Sequence, residues 1–120
     1  MTGQEALDRG VRDALSFGPI LVVNGNPSVV NGTGGGLNPR TAIGQREDGA
    51  VLLLVIDGRQ ANSLGASYED VLNVMVEHGA VNAANLDGGS SSLLYYQGEY
   101  INNCASLYGP RNMPTSFIVR

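Results

Sequence analysis

A chain of 120 residues is long enough to bury one core, and with 42% hydrophobic and 15% charged residues it reads as a weakly charged globular protein. Eleven acidic side chains against seven arginines and no lysine give a formal net charge of −4, leaving no basic stripe for a nucleic-acid partner. No apolar run reaches the length of a membrane span, MTGQEALDRG has no signal-peptide pattern, and the single cysteine, Cys104, cannot form an internal disulfide.

Thr2 and Glu5 form a capping-box pattern, and Ala6, Leu7, Val11, Ala14 and Leu15 repeat at helical spacing, predicting a helix over residues 3–16. PILVVNG, residues 19–25, reads as a short buried strand, and NPSVVNGTGGGLN, 26–38, as a long glycine-rich loop. RTAIGQRE and AVLLLVID flank Asp48-Gly49 and predict a β-hairpin. Its second arm is apolar throughout, so it is expected to be central and covered on both faces. Ser67 and Asp70 open a second helix over 68–78, stopped by Gly79, with Val71, Leu72, Met75 and Val76 as its buried stripe. AVNAANLD predicts a strand ending at Asp87, and LLYYQGEYIN a tight hairpin on Gln97-Gly98. Residues 103–114 read as a loop and PTSFIVR as a closing strand. The order implies an α/β or α+β fold with one mixed β-sheet and two main helices.

Chemistry concentrates at two strand ends, VIDGRQ and NLDGGSSS. If residues 68–78 are a right-handed crossover helix, the strands before and after it run parallel, and Asp57 and Asp87 emerge on the same edge. Asp-Gly is also an ordinary turn pair, so each aspartate alone has a plain structural reading. Gly88 and Gly89 offer backbone amides for an anion nest, with Ser90 and Ser91 as further donors and Arg59 beside them. Arg40 and Thr41 follow Pro39 and the glycine-rich loop, where an arginine suits phosphate or carboxylate. GTGGG lacks the rest of a Walker or dinucleotide fingerprint. One histidine and one cysteine make no zinc site, and no cofactor motif is present, though a divalent metal on carboxylates stays open. Tyr95, Tyr96, Tyr100 and Tyr108 cluster late, either to line a sugar site or to pack across a hairpin.

NPRTAIG, VIDGRQ, HGAVNAANLDGGSSS and MPTSFIV, in that order, resemble the phosphodiester glycosidase family. This is the domain related to the enzyme that uncovers mannose 6-phosphate by removing N-acetylglucosamine. Its bacterial members are often labelled exopolysaccharide biosynthesis proteins. The resemblance runs from about Ala6 to Arg120 and matches the C-terminal portion of a larger domain. It implies that residues 1–120 form a single domain lacking the family's N-terminal part. Many members have glycine where Ser90 stands here. The implied activity is hydrolysis of a sugar-1-phosphodiester, or a polysaccharide built on one, at the anomeric carbon. Asp57 and Asp87 are then the catalytic candidates, and Arg40, Thr41, Arg59, Gly88, Gly89, Ser90 and Ser91 the substrate-binding ones. The family also implies an extracytoplasmic or cell-envelope location, and an edge left open by missing strands would favour a homodimer. The rival readings are a non-catalytic carbohydrate-binding module and a phosphodiesterase cleaving the P–O bond of a teichoic-acid-like polymer.

Overall fold

The computed structural model describes residues 1–30 and 35–120. Most of the predicted GTGGG stretch lies outside them. Strands β1 (Ile20–Val23), β2 (Asn26–Pro27), β3 (Arg40–Arg46), β4 (Val51–Ile56) and β5 (Ala80–Asn85) form one sheet in the order β2-β1-β5-β3-β4. Two helices, α1 (Gly3–Asp8) and α2 (Tyr68–Glu77), and a small hairpin of β6 (Tyr95–Tyr96) and β7 (Glu99–Tyr100) complete the elements. No helix among the described residues is long and apolar enough to cross a membrane.

The predicted hairpin forms. Gly49 takes a φ of 85°, Arg46 and Ala50 close the turn at 2.9 Å, and six residue pairs follow from Gln45–Val51 to Arg40–Ile56. β3 also pairs antiparallel with β5, so every neighbouring pair in the sheet is antiparallel. Because both flank β3 in the same sense, β4 and β5 run parallel to each other, with α2 as their crossover. The expectation about the two aspartates depended on that arrangement.

β4, however, is the edge strand and not a central one, with Val51 62% and Leu53 43% exposed. An apolar run reports what a strand is made of and not which neighbours it has. The central place goes to β5, between β1 and β3, and small residues on β5 and β3 let α2 approach closely. A Cβ at Gly44 would lie 3.1 Å from the Met75 sulfur.

α2 is set by its N-terminus. Ser67 Oγ accepts from the Asp70 amide at 3.1 Å, and Asp70 returns the contact by accepting from the Ser67 amide at 2.8 Å. Its Val71, Leu72 and Met75 pack on Leu21, Val22, Ala42, Ala80 and Ala83. Val76, expected in that stripe, is exposed at the edge of the contact. α1 keeps its capping box but ends at Asp8, with Gly10 in the left-handed region, and buries no residue. A helical stripe without a surface to cover does not propagate. The closing segment 114–120 pairs with nothing in the sheet and is exposed, so the strand predicted there is absent.

Candidate active site

Asp57 stands one residue beyond Ile56, which pairs with Arg40, and Asp87 stands two beyond Asn85, which pairs with Ala42. Both carboxylates therefore leave the sheet at the same end, on either side of the start of β3. Two strand spacings separate their backbones, about 10 Å.

Pro39, fully buried, fills the gap between the two turns. A Cβ at Gly58 would meet Pro39 N at 2.6 Å, Gly65 Cα at 2.8 Å and Pro39 Cδ at 2.9 Å. A Cβ at Gly88 would meet Pro39 O at 2.6 Å. Both glycines are thus required by close approach of backbone to backbone. Gly65, at φ 109°, does the same against Asn38. The Gly89 amide, expected in an anion nest, instead donates to Pro39 O at 2.9 Å. The Ser91 and Ser92 amides close the 3-10 turn Gly89–Ser91.

The two carboxylates are held in different ways. Asp57 Oδ1 accepts from the Asn102 side-chain amide at 3.0 Å and from the Asn103 backbone amide at 3.2 Å. Asn102 also donates to Ser92 O and accepts from the Leu94 amide, so it fastens the hairpin β6–β7 to the strand ends. Asp87 is half exposed, and its one described side-chain partner is Arg111, at 3.1 Å. The same Arg111 nitrogen donates to Ser91 Oγ at 2.5 Å.

The remaining predicted site residues divide. Arg59, in the left-handed region at φ 57°, is exposed, donates to Asn38 Oδ1 at 2.7 Å and lies against Gly89. Arg40 is 5% exposed. Its Nε donates to Ala66 O at 2.9 Å, its Nη2 to Gly36 O at 2.8 Å, and its guanidinium lies 4.0 Å above the centre of the Tyr68 ring. Those contacts make Arg40 a bracket between the start of α2 and the glycine-rich loop. Thr41 likewise is engaged by Ser92 Oγ at 3.0 Å, and Ser91 and Ser92 are buried. Ser90 is partly exposed, its carbonyl accepting from Cys104.

Asn102, Asn103 and Arg111 escaped the sequence reading. They reach the aspartates from 45, 46 and 24 residues away, a distance at which no local pattern speaks. The tyrosines of the hairpin are exposed, with Tyr95 and Tyr100 packed edge to face across it at 5.3 Å. Among the described residues no cluster of three or more His, Cys, Asp or Glu is placed to hold a metal ion. An open depression lined by Arg46, Glu47, Asp48, Glu77, His78 and Gly79 sits at the opposite end of β3, away from both aspartates.

The chain is similar to several known proteins. The SPbeta prophage-derived protein YomE of Bacillus subtilis (strain 168) is 39% identical over 101 residues, 81% of this chain and 16% of that protein. A crystal structure from Burkholderia pseudomallei K96243 matches at 42% identity and a TM-score of 0.60, over 62% of this chain and 14% of that one. The catalytic domain of zebrafish N-acetylglucosamine-1-phosphodiester alpha-N-acetylglucosaminidase matches at 28% identity and a TM-score of 0.47, over 62% of this chain and 26% of that one. The chain therefore spans about a sixth of the length of its Bacillus relative. The model of the phosphodiester glycosidase family matches residues 1–120, and the chain belongs to that family.

Proposed function

We propose that this chain hydrolyses a sugar-1-phosphodiester, of the N-acetylglucosamine-1-phosphodiester kind, at the anomeric carbon. The observation that carries the reading is the pairing of Asp57 and Asp87 at one sheet end with Arg59 beside them. The departing phosphate monoester is a weak base, so it asks for a positive donor more than for a strong general acid. Arg59 offers one. The oxocarbenium-like transition state asks for a carboxylate as nucleophile or to activate water. Asp87, exposed and held by one partner, takes that part. Asp57, fixed by two amide donors, orients the sugar or the attacking water.

The test is release of N-acetylglucosamine from its 1-phosphodiester by this chain and by Asp87→Asn, run in ¹⁸O-labelled water. Release abolished by Asp87→Asn, with label in the sugar, supports the reading. Label in the phosphate would move the assignment to P–O cleavage. A folded chain that releases nothing from any sugar phosphodiester overturns the reading for these residues.

A further inference from the structure

Arg111 is an exposed attachment of the site, and its environment points to a moving part. One nitrogen, Nη2, makes both of its described contacts, to Asp87 Oδ2 at 3.1 Å and to Ser91 Oγ at 2.5 Å. Nε and Nη1 keep their hydrogens for another acceptor. The side chains of the pair are 55% and 50% exposed, and ion pairs in water contribute little to stability, so exchanging one partner for another costs little. The backbone that carries Arg111 is also lightly held. Past Cys104, Arg111 makes the only hydrogen bonds from this segment to the rest of the described residues.

Two exposed guanidiniums thus bracket one short turn. Arg59 lies against Gly89, with a nitrogen 3.4 Å from where a Cβ would be, and Arg111 reaches Ser91, two residues on. The carboxylate beside Arg111 is the one assigned above to the reaction. A second anion arriving here competes with Asp87 for the same cation.

We propose that Arg111 selects substrates that carry a phosphate: the bound diester takes the guanidinium from Asp87 through a non-bridging oxygen, releasing Asp87 from its ion pair. The inference rests on the glycosidase reading for what Asp87 does next. A neutral glycoside offers no anion, leaves the Asp87–Arg111 pair intact and meets a carboxylate already engaged. Arginine is suited to the exchange because its planar fork can grip two oxygens of one phosphate side by side, a geometry that a lysine ammonium does not match.

The experiment compares the wild type, Arg111→Gln and Arg111→Lys on the N-acetylglucosamine 1-phosphodiester and on a neutral aryl N-acetylglucosaminide. Expected for Arg111→Gln is a fall in kcat/KM on the diester of roughly 10- to 100-fold, carried mainly by KM, the size of a lost charge-assisted hydrogen bond. On the neutral glycoside it leaves kcat/KM within about threefold or raises it, and Arg111→Lys recovers part of the loss on the diester. Equal losses on both substrates, following a lowered melting temperature, would mean that Arg111 merely tacks down its segment and would overturn the proposal. So would an unchanged diester rate. Calorimetric binding of methyl phosphate separates this inference from the function itself. If the chain turns over neither substrate, the glycosidase reading fails, and methyl phosphate binding decides alone. Weaker binding by Arg111→Gln supports phosphate recognition, and equal binding overturns it.

Discussion

The turn after β4 and the turn after β5 each follow an aspartate with a glycine pressed against Pro39, yet they hold their carboxylates differently. Asp57 is tied by two amides from one stretch of chain, Asn102 and Asn103, and is partly buried. Asp87 faces solvent, with Arg111 as its one side-chain partner among the described residues. An incoming phosphate draws more strongly on a guanidinium than on neutral amides, because the bond to a charged donor is about twice as strong. The contrast suits one carboxylate that keeps its place and another whose partner depends on what is bound.

The largest effect that tests this contrast is on turnover. Asp87→Asn is expected to lower kcat by about 10³-fold or more while leaving the melting temperature within about 2 °C, since only an exposed pair is lost. Asp57→Ala should lower activity and also cost about 1–3 kcal/mol in urea unfolding, because the Asn102 and Asn103 donors lose their acceptor. Equal stability losses in the two variants would break the comparison.

Next come the glycines. Gly58→Ala drives a methyl group into three atoms closer than 3.0 Å, and Gly88→Ala into one, so both destabilise and Gly58→Ala is the worse of the two. Overpacking of this kind costs about 1–3 kcal/mol, measured by the urea midpoint. Asn102→Ala, which unfastens the hairpin from Asp57 and Ser92, should cost about 1–2 kcal/mol and weaken substrate binding through Asp57.

The smallest effect belongs to a carboxylate outside the site. The Ser67 hydroxyl, and after it the Ser67 backbone amide, holds the Asp70 carboxyl below its ordinary range. Asp70 therefore contributes stability at neutral pH that is lost as pH falls through its lowered folded-state value. Ser67→Ala should cost about 1 kcal/mol at pH 7. The gap to wild type should narrow below about pH 4, followed by thermal melts.

What could be read from sequence was what is decided locally. The capping box of α2, the Asp48-Gly49 turn and the Gln97-Gly98 hairpin each carry their instructions within a few residues, and all three form where expected. The second half of α1 and the closing strand needed a surface to pack on, and neither finds one among the described residues. Asp57 and Asp87 were legible because a charge straight after an apolar run is conspicuous. The meaning of their glycines was not, since flexibility and close approach are written with the same letter. Arg40 invited a ligand because it borders a glycine-rich loop. Only the fold reveals that three backbone carbonyls and the Tyr68 ring surround it. Asn102, Asn103 and Arg111 depend on a hairpin doubling back, which no spacing rule announces.

Pro39 touches both aspartate turns, so substitutions in them will not act independently. A methyl added at Gly58 pushes the ring and its nitrogen, and a methyl added at Gly88 pushes the carbonyl of the same residue. Once one has displaced Pro39, the second meets a gap of altered width. A double-mutant cycle between positions 30 residues apart in the chain should then show a coupling energy on the order of 1 kcal/mol, the signature of neighbours. Sequence change at this end of the sheet is epistatic. Which residue one turn tolerates depends on what the other has already accepted.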